Sequence, residues 1–112
     1  MTAYKQGDVV LVGFIFSDES GAKRRPAIVV SAQDYNQGRQ EVVIAAVTSN
    51  VDRQLPGDYL IANWQKAGLL YPSVATGIIR TIKQTMIARR LGVVSTEDKR
   101  AIREQLKRIL GL

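Results

Sequence analysis

Three strand-length runs constrain this chain more than any other feature of its sequence. Residues 9–16, 27–31 and 41–47 are dominated by Val, Ile, Ala and Phe. β-Branched and aromatic side chains pack well on a pleated surface and lose χ1 freedom in a helix. None of the runs approaches the 18 or so apolar residues of a membrane-spanning helix. The run at 27–31 is almost unbroken, which predicts burial on both faces of its strand. Polar or glycine-containing stretches separate the runs, at 17–22 and at 33–40, the latter a turn centred on Asn36-Gln37-Gly38. Pro56-Gly57 marks another turn. Beyond it, residues 58–61 read as a short strand, 64–68 as one helical turn closed by Gly68, and 73–79 and 81–87 as two further strand segments.

The last segment is a helix. Ser95 is a suitable N-cap, with Asp98 at the third helical position. Ile102, Leu106, Ile109 and Leu110 form an apolar stripe at helical spacing, and Gly111 is a stop. Lys99, Arg100, Arg103, Lys107 and Arg108 occupy its other faces. Glu97, Asp98 and Glu104 interrupt that basic run, so it reads as a solvated surface, with an RNA-binding ridge as the alternative. The expected architecture is mainly β with a C-terminal α-helix: a small, twisted antiparallel barrel, one domain spanning 1–112.

Charge and absences narrow the chemistry. The 112 residues carry a net charge of +6, which favours a polyanionic partner without distinguishing RNA from DNA or a membrane surface. There is no cysteine and no histidine. Disulfides, thiolate metal sites, a histidine general base and a histidine-ligated metal are therefore excluded. The acidic residues show no recognisable ligand spacing, so neither a metal nor another cofactor is expected. Asp8 reads as a turn-fixing residue. The N-terminus lacks a signal-peptide pattern, which makes a cytoplasmic location the expectation.

Lys23-Arg24-Arg25-Pro26 runs directly into the second apolar run, and Thr48-Ser49-Asn50 ends the third. Two strands thus bring an arginine and a hydroxyl to loop ends. A guanidinium is permanently charged, and its planar fork of donors matches phosphate oxygens. A phosphate-handling site and an ordinary solvated basic loop both fit these residues.

Several blocks, taken in order, resemble the MazF/PemK family of toxin endoribonucleases. They are Gly7-Asp8-Val9-Val10, Lys23 through Ser31, Ala45-Ala46-Val47-Thr48-Ser49, Ala67 through Val74, and Arg90-Leu91-Gly92. The last two resemble the PemK-like branch. The resemblance implies an SH3-like barrel of the MazF/CcdB toxin type, acting as a homodimer. It implies metal-independent, sequence-selective cleavage of single-stranded mRNA through the 2′-hydroxyl, with a cognate antitoxin as partner. It carries catalytic roles to Arg25 and Thr48, and it makes Lys23, Arg24, Ser49, Asn50, Thr76 and Arg80 the RNA-binding candidates. Trp64, Leu69, Leu70 and Tyr71 would then form a dimer contact, with Trp64 and Tyr71 completing the monomer core as the alternative.

The sequence departs from the family at one point. Where many relatives carry an arginine and, two residues on, an acid, this chain has Ala75 and Gly77. Arg80 should point to the opposite face unless a bulge returns it. The general base is thus unassigned, and Asp18 and Glu19 are candidates by sequence proximity alone. The departure leaves open a catalytically weak or inactive module that binds RNA or antitoxin. A related-fold toxin acting on a protein target fits less well, because that mode needs no phosphate site.

Overall fold

The structure is a computed structural model that describes residues 4–15 and 22–112. Its elements are β1 (Asp8–Ile15), β2 (Ala22–Val29), α1 (Gln33–Gly38), β3 (Glu41–Thr48), β4 (Tyr59–Leu60), β5 (Val74–Lys83), β6 (Ile87–Val93) and α2 (Thr96–Leu110), with a 3-10 turn at Gln84–Met86. The strands form one antiparallel sheet in the order β4-β5-β3-β2-β1-β6. β4 and β6 are its two outer strands and do not pair with each other, so the sheet is open where a closed barrel was expected. No helix among the described residues is long and apolar enough to cross a membrane.

Three boundaries differ from expectation, each because long-range pairing outweighs local composition. β2 begins at Ala22, so Lys23, Arg24 and Arg25 lie inside a strand and not at a loop end. β1 pairs along it from Val9↔Ile28 to Ile15↔Ala22, and all three cations are exposed. Pro26 lies just beyond the last β2–β3 pair, Ala27↔Ala46, where its missing N–H interrupts no ladder on that side. The turn expected at 33–40 contains a six-residue helix, α1. Its buried Asn36 donates to the carbonyl of Tyr4 (2.9 Å) and accepts from Ser31 Oγ (2.5 Å). The two strand segments expected at 73–87 are the single strand β5, and a further strand, β6, follows the 3-10 turn.

Alternation puts a core on each face of the sheet. Val10, Val12, Ala27, Val29, Val42, Ile44, Ile82 and Ile87 form one. Val9, Ile28, Val47 and Ala75 form the other, with Ile61, Ala67 and Leu69 from the segment after β4, Val94, and Ile102 from α2. That is why the second run is apolar throughout: Ala27, Ile28 and Val29 are each at most 1% exposed. Burying each side chain of Val or Ile size contributes about 1.5–3 kcal/mol.

α2 starts and stops as expected. Ser95 Oγ accepts from the Asp98 N–H (3.1 Å), and Gly111 ends the helix at φ 71°. Ile102 is buried, but Leu110 is 52% exposed, so the apolar stripe ends before it. The Asp98 side chain has a role invisible in the sequence. It is fully buried, and its carboxylate accepts from the N–H groups of Ala62 (3.0 Å) and Asn63 (2.9 Å) and from the Tyr59 hydroxyl (2.5 Å). Burial alone would raise its pKa, but these hydrogen bonds outweigh burial and lower it. Asp98 thereby ties the chain after β4 to the start of α2.

That tied segment runs on to the glycine at 68. Gly68 has φ +88°, and a Cβ there would lie 2.2 Å from the Leu91 carbonyl oxygen. A Cβ on Gly92 would lie 2.4 Å from the Ala67 carbonyl oxygen. The segment and β6 therefore meet backbone to backbone, and only glycines allow it. This contact fixes where Leu69, Leu70 and Tyr71 emerge.

Candidate active site

A cleft of about 470 Å³ opens beside this contact, at the ends of β2 and β3. Leu11, Pro26, Val47, Leu69 and Leu91 supply its apolar wall, and Arg25, Thr48, Ser49, Ser73 and Arg89 supply its polar groups. Leu70 and Tyr71 also line it and are 82% and 64% exposed.

Sheet register accounts for part of the assembly. Leu11 pairs with Pro26 on one side and with Arg89 on the other, so one row crosses three strands. Continuing the β2–β3 register past Ala27↔Ala46 brings Arg25 level with Thr48. Thr48 Oγ1 accepts a hydrogen bond from the Asn50 N–H at 3.2 Å. That bond fixes the oxygen and leaves its hydrogen available to donate. No described residue forms a hydrogen bond or ion pair with the guanidinium of Arg25 or Arg89, and no described carboxylate lines the cleft. Two arginines and a directed hydroxyl, backed by an apolar wall that weakens screening, suit an anion with several oxygens.

The structure gathers some of the expected residues and not others. Arg25, Thr48 and Ser49 share the cleft. Lys23 and Arg24 are exposed on β2 but do not line it, and neither does Asn50, whose backbone positions Thr48. Thr76 is buried, with its hydroxyl donating to the Ala46 carbonyl at 2.8 Å, so it holds β5 to β3. Arg80 pairs with Ile44 and lies away from the cleft. A register shift does occur between Ala45↔Ile79 and Val47↔Ala75. It adds an even number of residues to β5, so the face of Arg80 is unchanged. The candidates Asp18 and Glu19 fall outside the described residues.

Ala75 and Gly77 do not belong to the cleft either. Ala75 is 2% exposed within the core, and a Cβ on Gly77 would meet Pro56, Gly57 and Ile109. The remaining described acids near the sheet hold structure. Asp8 accepts from the Lys5 N–H (2.8 Å) and pairs with Arg90 (3.0 Å). Asp58 pairs with Arg53 (2.8 Å). Burial would raise the Asp58 pKa, but the bonds from Arg53, Leu55 and Gly77 lower it overall. Among the described residues no three His, Cys, Asp or Glu gather as a metal-ligand group.

Sequence reasoning missed Arg89. Adjacent strand residues point to opposite faces. Arg90 turns to Asp8 and lies over the Tyr4 ring, while Arg89 pairs with Leu11 on the cleft row. The only signal was the Ala88-Arg89-Arg90-Leu91 pattern, which shows its strand character once β6 is placed. Of the two residues left open between core and contact, Trp64 packs on the core and Tyr71 faces outward; Leu69 joins the core, and Leu70 faces outward.

Fold and site together define a small open-sheet β protein, closed on one face by a C-terminal helix and carrying a cationic cleft at its strand ends. Residues 5–110 match the family described as PemK-like, MazF-like toxin of type II toxin-antitoxin system. The chain belongs to this toxin family. No curated protein sequence matches it significantly. Solved structures share its fold. A MazE-MazF complex from Deinococcus radiodurans is similar at TM-score 0.82 and 22% identity, covering 100% of this chain and 99% of that one. An endoribonuclease in complex with its cognate antitoxin, from a mycobacterial species, is similar at TM-score 0.79 and 23% identity, covering 98% and 97%. The Mycobacterium tuberculosis toxin MazF-mt6 is similar at TM-score 0.72 and 20% identity, covering 92% and 97%.

Proposed function

We propose that this chain is the endoribonuclease toxin of a toxin-antitoxin pair and cleaves single-stranded RNA in the cleft of Arg25, Thr48, Ser49 and Arg89. The observation that carries the reading is the union of two arginines and a directed hydroxyl in one cleft that no described carboxylate lines. Family membership and the endoribonuclease neighbours support it.

RNA supplies its own nucleophile. The 2′-oxygen attacks the adjacent phosphorus and gives its proton to a base. The P–O5′ bond breaks, and the leaving 5′-oxygen takes up a proton, giving a 2′,3′-cyclic phosphate and a 5′-hydroxyl. Alignment and charge stabilisation are what the protein must provide. Arg25 stabilises the phosphorane oxygens. A guanidinium keeps its charge and is a poor base, so proton donation to the leaving oxygen is its secondary role. Thr48 donates to a non-bridging oxygen. The base is assigned to Asp18 or Glu19, on the segment that precedes the arginines. The working unit is one domain, a homodimer on an SH3-like scaffold, and its +6 charge suits an acidic antitoxin.

The test is cleavage of a long single-stranded RNA in EDTA. Activity should persist and leave cyclic or opened 3′-phosphate ends, and 2′-deoxy substitution at the cut should block it. Arg25→Ala should lower the single-turnover rate by roughly 100-fold or more. Activity that requires added magnesium, or a folded Arg25→Ala protein that cleaves normally, refutes the reading.

A further inference from the structure

Tyr71 is an aromatic side chain held out in solvent beside a cationic cleft. The residue is 64% exposed, although the fold gathers many of its large apolar groups into two cores. It lines two cavities at once. One is the cleft with Arg25, Thr48 and Arg89, and the other is a hollow of about 340 Å³ shared with Ser49, Val51 and Pro72. Ser49 also lines both. The ring is thus a partition between an anion site and an adjoining apolar hollow.

The backbone that carries it is constrained. Ser73 is 4% exposed, and its Oγ donates to the Tyr71 carbonyl at 2.7 Å. Pro72 fixes the next φ. On the other side, the Gly68–Gly92 contact anchors the segment to β6. An exposed ring on so constrained a backbone is preorganised to stack, because little freedom is lost when a partner lies on it.

We infer that Tyr71 is the stacking wall of a nucleobase subsite, and that the hollow of Ser49, Val51 and Pro72 receives the base next to the phosphate held by Arg25 and Thr48. The inference rests on the proposed phosphate site. A nucleotide joins an anionic phosphate to a flat, largely apolar base, and the two cavities offer those two chemistries on either side of one residue. The Ser49 hydroxyl can meet the polar edge of that base, which makes the hollow a place where sequence preference is set. Charge decides the occupant. Two arginines without a described carboxylate favour a polyanion over a second copy of a chain that is itself +6.

Base–aromatic stacking carries an affinity factor of about 5- to 150-fold. The test uses a single-stranded oligonucleotide spanning a cut site mapped with the wild-type protein, with 2′-deoxy at the cleaved nucleotide to prevent turnover. Its variants carry one abasic nucleotide at successive positions. Tyr71→Phe should bind as the wild type does. Tyr71→Ala should weaken binding within the stated range. At one position flanking the cut, the abasic change should weaken the wild type equally and leave Tyr71→Ala unaffected. Independent, multiplying losses at every position would overturn the subsite while leaving the phosphate site intact. A Tyr71→Ala protein that binds all oligonucleotides as wild type does, but sediments as a smaller species, would overturn it too and assign the ring to contact between copies. A wild-type protein that neither binds nor cuts RNA would overturn both this inference and the function it rests on. Tyr71 is largely exposed, so circular dichroism should show each variant folded.

Discussion

Replacing Gly68 with alanine should damage this protein more than any other single methyl group placed on the cleft wall. Two costs add. Gly68 sits at φ +88°, where an L side chain is strained by about 1–2 kcal/mol. The new Cβ would also lie 2.2 Å from the Leu91 carbonyl oxygen and 2.7 Å from its carbon. Those are backbone atoms of β6, so no rotamer change relieves the overlap. Forced overpacking of this kind costs about 1–3 kcal/mol. The sum, about 2–5 kcal/mol, is a large share of the 5–15 kcal/mol typical of a whole domain. The cheapest relief is retreat of the segment from β6, which draws Leu69 and Tyr71 away from Arg89 and Leu91 and widens the cleft. Gly111→Ala supplies the control, because that position has φ +71° but no atom within 4 Å of the added carbon. Urea unfolding of the two variants, compared at matched slope, isolates the clash. Gly68→Ala should lose at least about 1 kcal/mol more than Gly111→Ala, and its RNA cleavage should fall while that of Gly111→Ala holds. Equal midpoints for the two would refute the backbone-to-backbone packing described here.

Three further outcomes follow from the same geometry. Thr48→Ala should slow single-turnover cleavage by about 10- to 100-fold, as expected for one neutral hydrogen bond in the transition state, and Thr48→Ser should recover most of it. Asp98 has a folded pKa below its unfolded value of about 3.9, so its contribution is complete above that pH and disappears as pH falls through the folded pKa. Asp98→Asn should therefore lower stability at pH 7 and flatten its decline below pH 4, as read by urea midpoints across pH 2 to 7. Ala75→Arg should yield an unstable or insoluble protein and no faster enzyme, because it would bury an unpaired guanidinium within the Val9, Ile28 and Val47 core at a cost of several kcal/mol. A soluble Ala75→Arg protein with wild-type stability would contradict that placement.

Much of the fold was legible because the information was local. The runs at 9–16, 27–31 and 41–47 became β1, β2 and β3 through side-chain shape and alternation. The cap at Ser95 and the stop at Gly111 depend on neighbours within one turn. Arg25 and Thr48 could be paired on the chain because each abuts an apolar strand whose register is fixed by burial. What the sequence could not show depends on pairing between distant residues. Strand pairing with β1 carried β2 back through three cations. Register placed Arg89 on the cleft row and Arg90 off it. Packing buried Thr76 and Ala75, while Arg80 kept the opposite face that strand alternation gave it. Asp98, read along the chain as a capping residue, became the anchor of a segment more than thirty residues earlier. Sequence alone thus determined a mainly β chain with a C-terminal helix, and a charge that suits a polyanion. Tertiary structure decided which cations share a cleft, because a one-residue difference in register reverses a side chain's face.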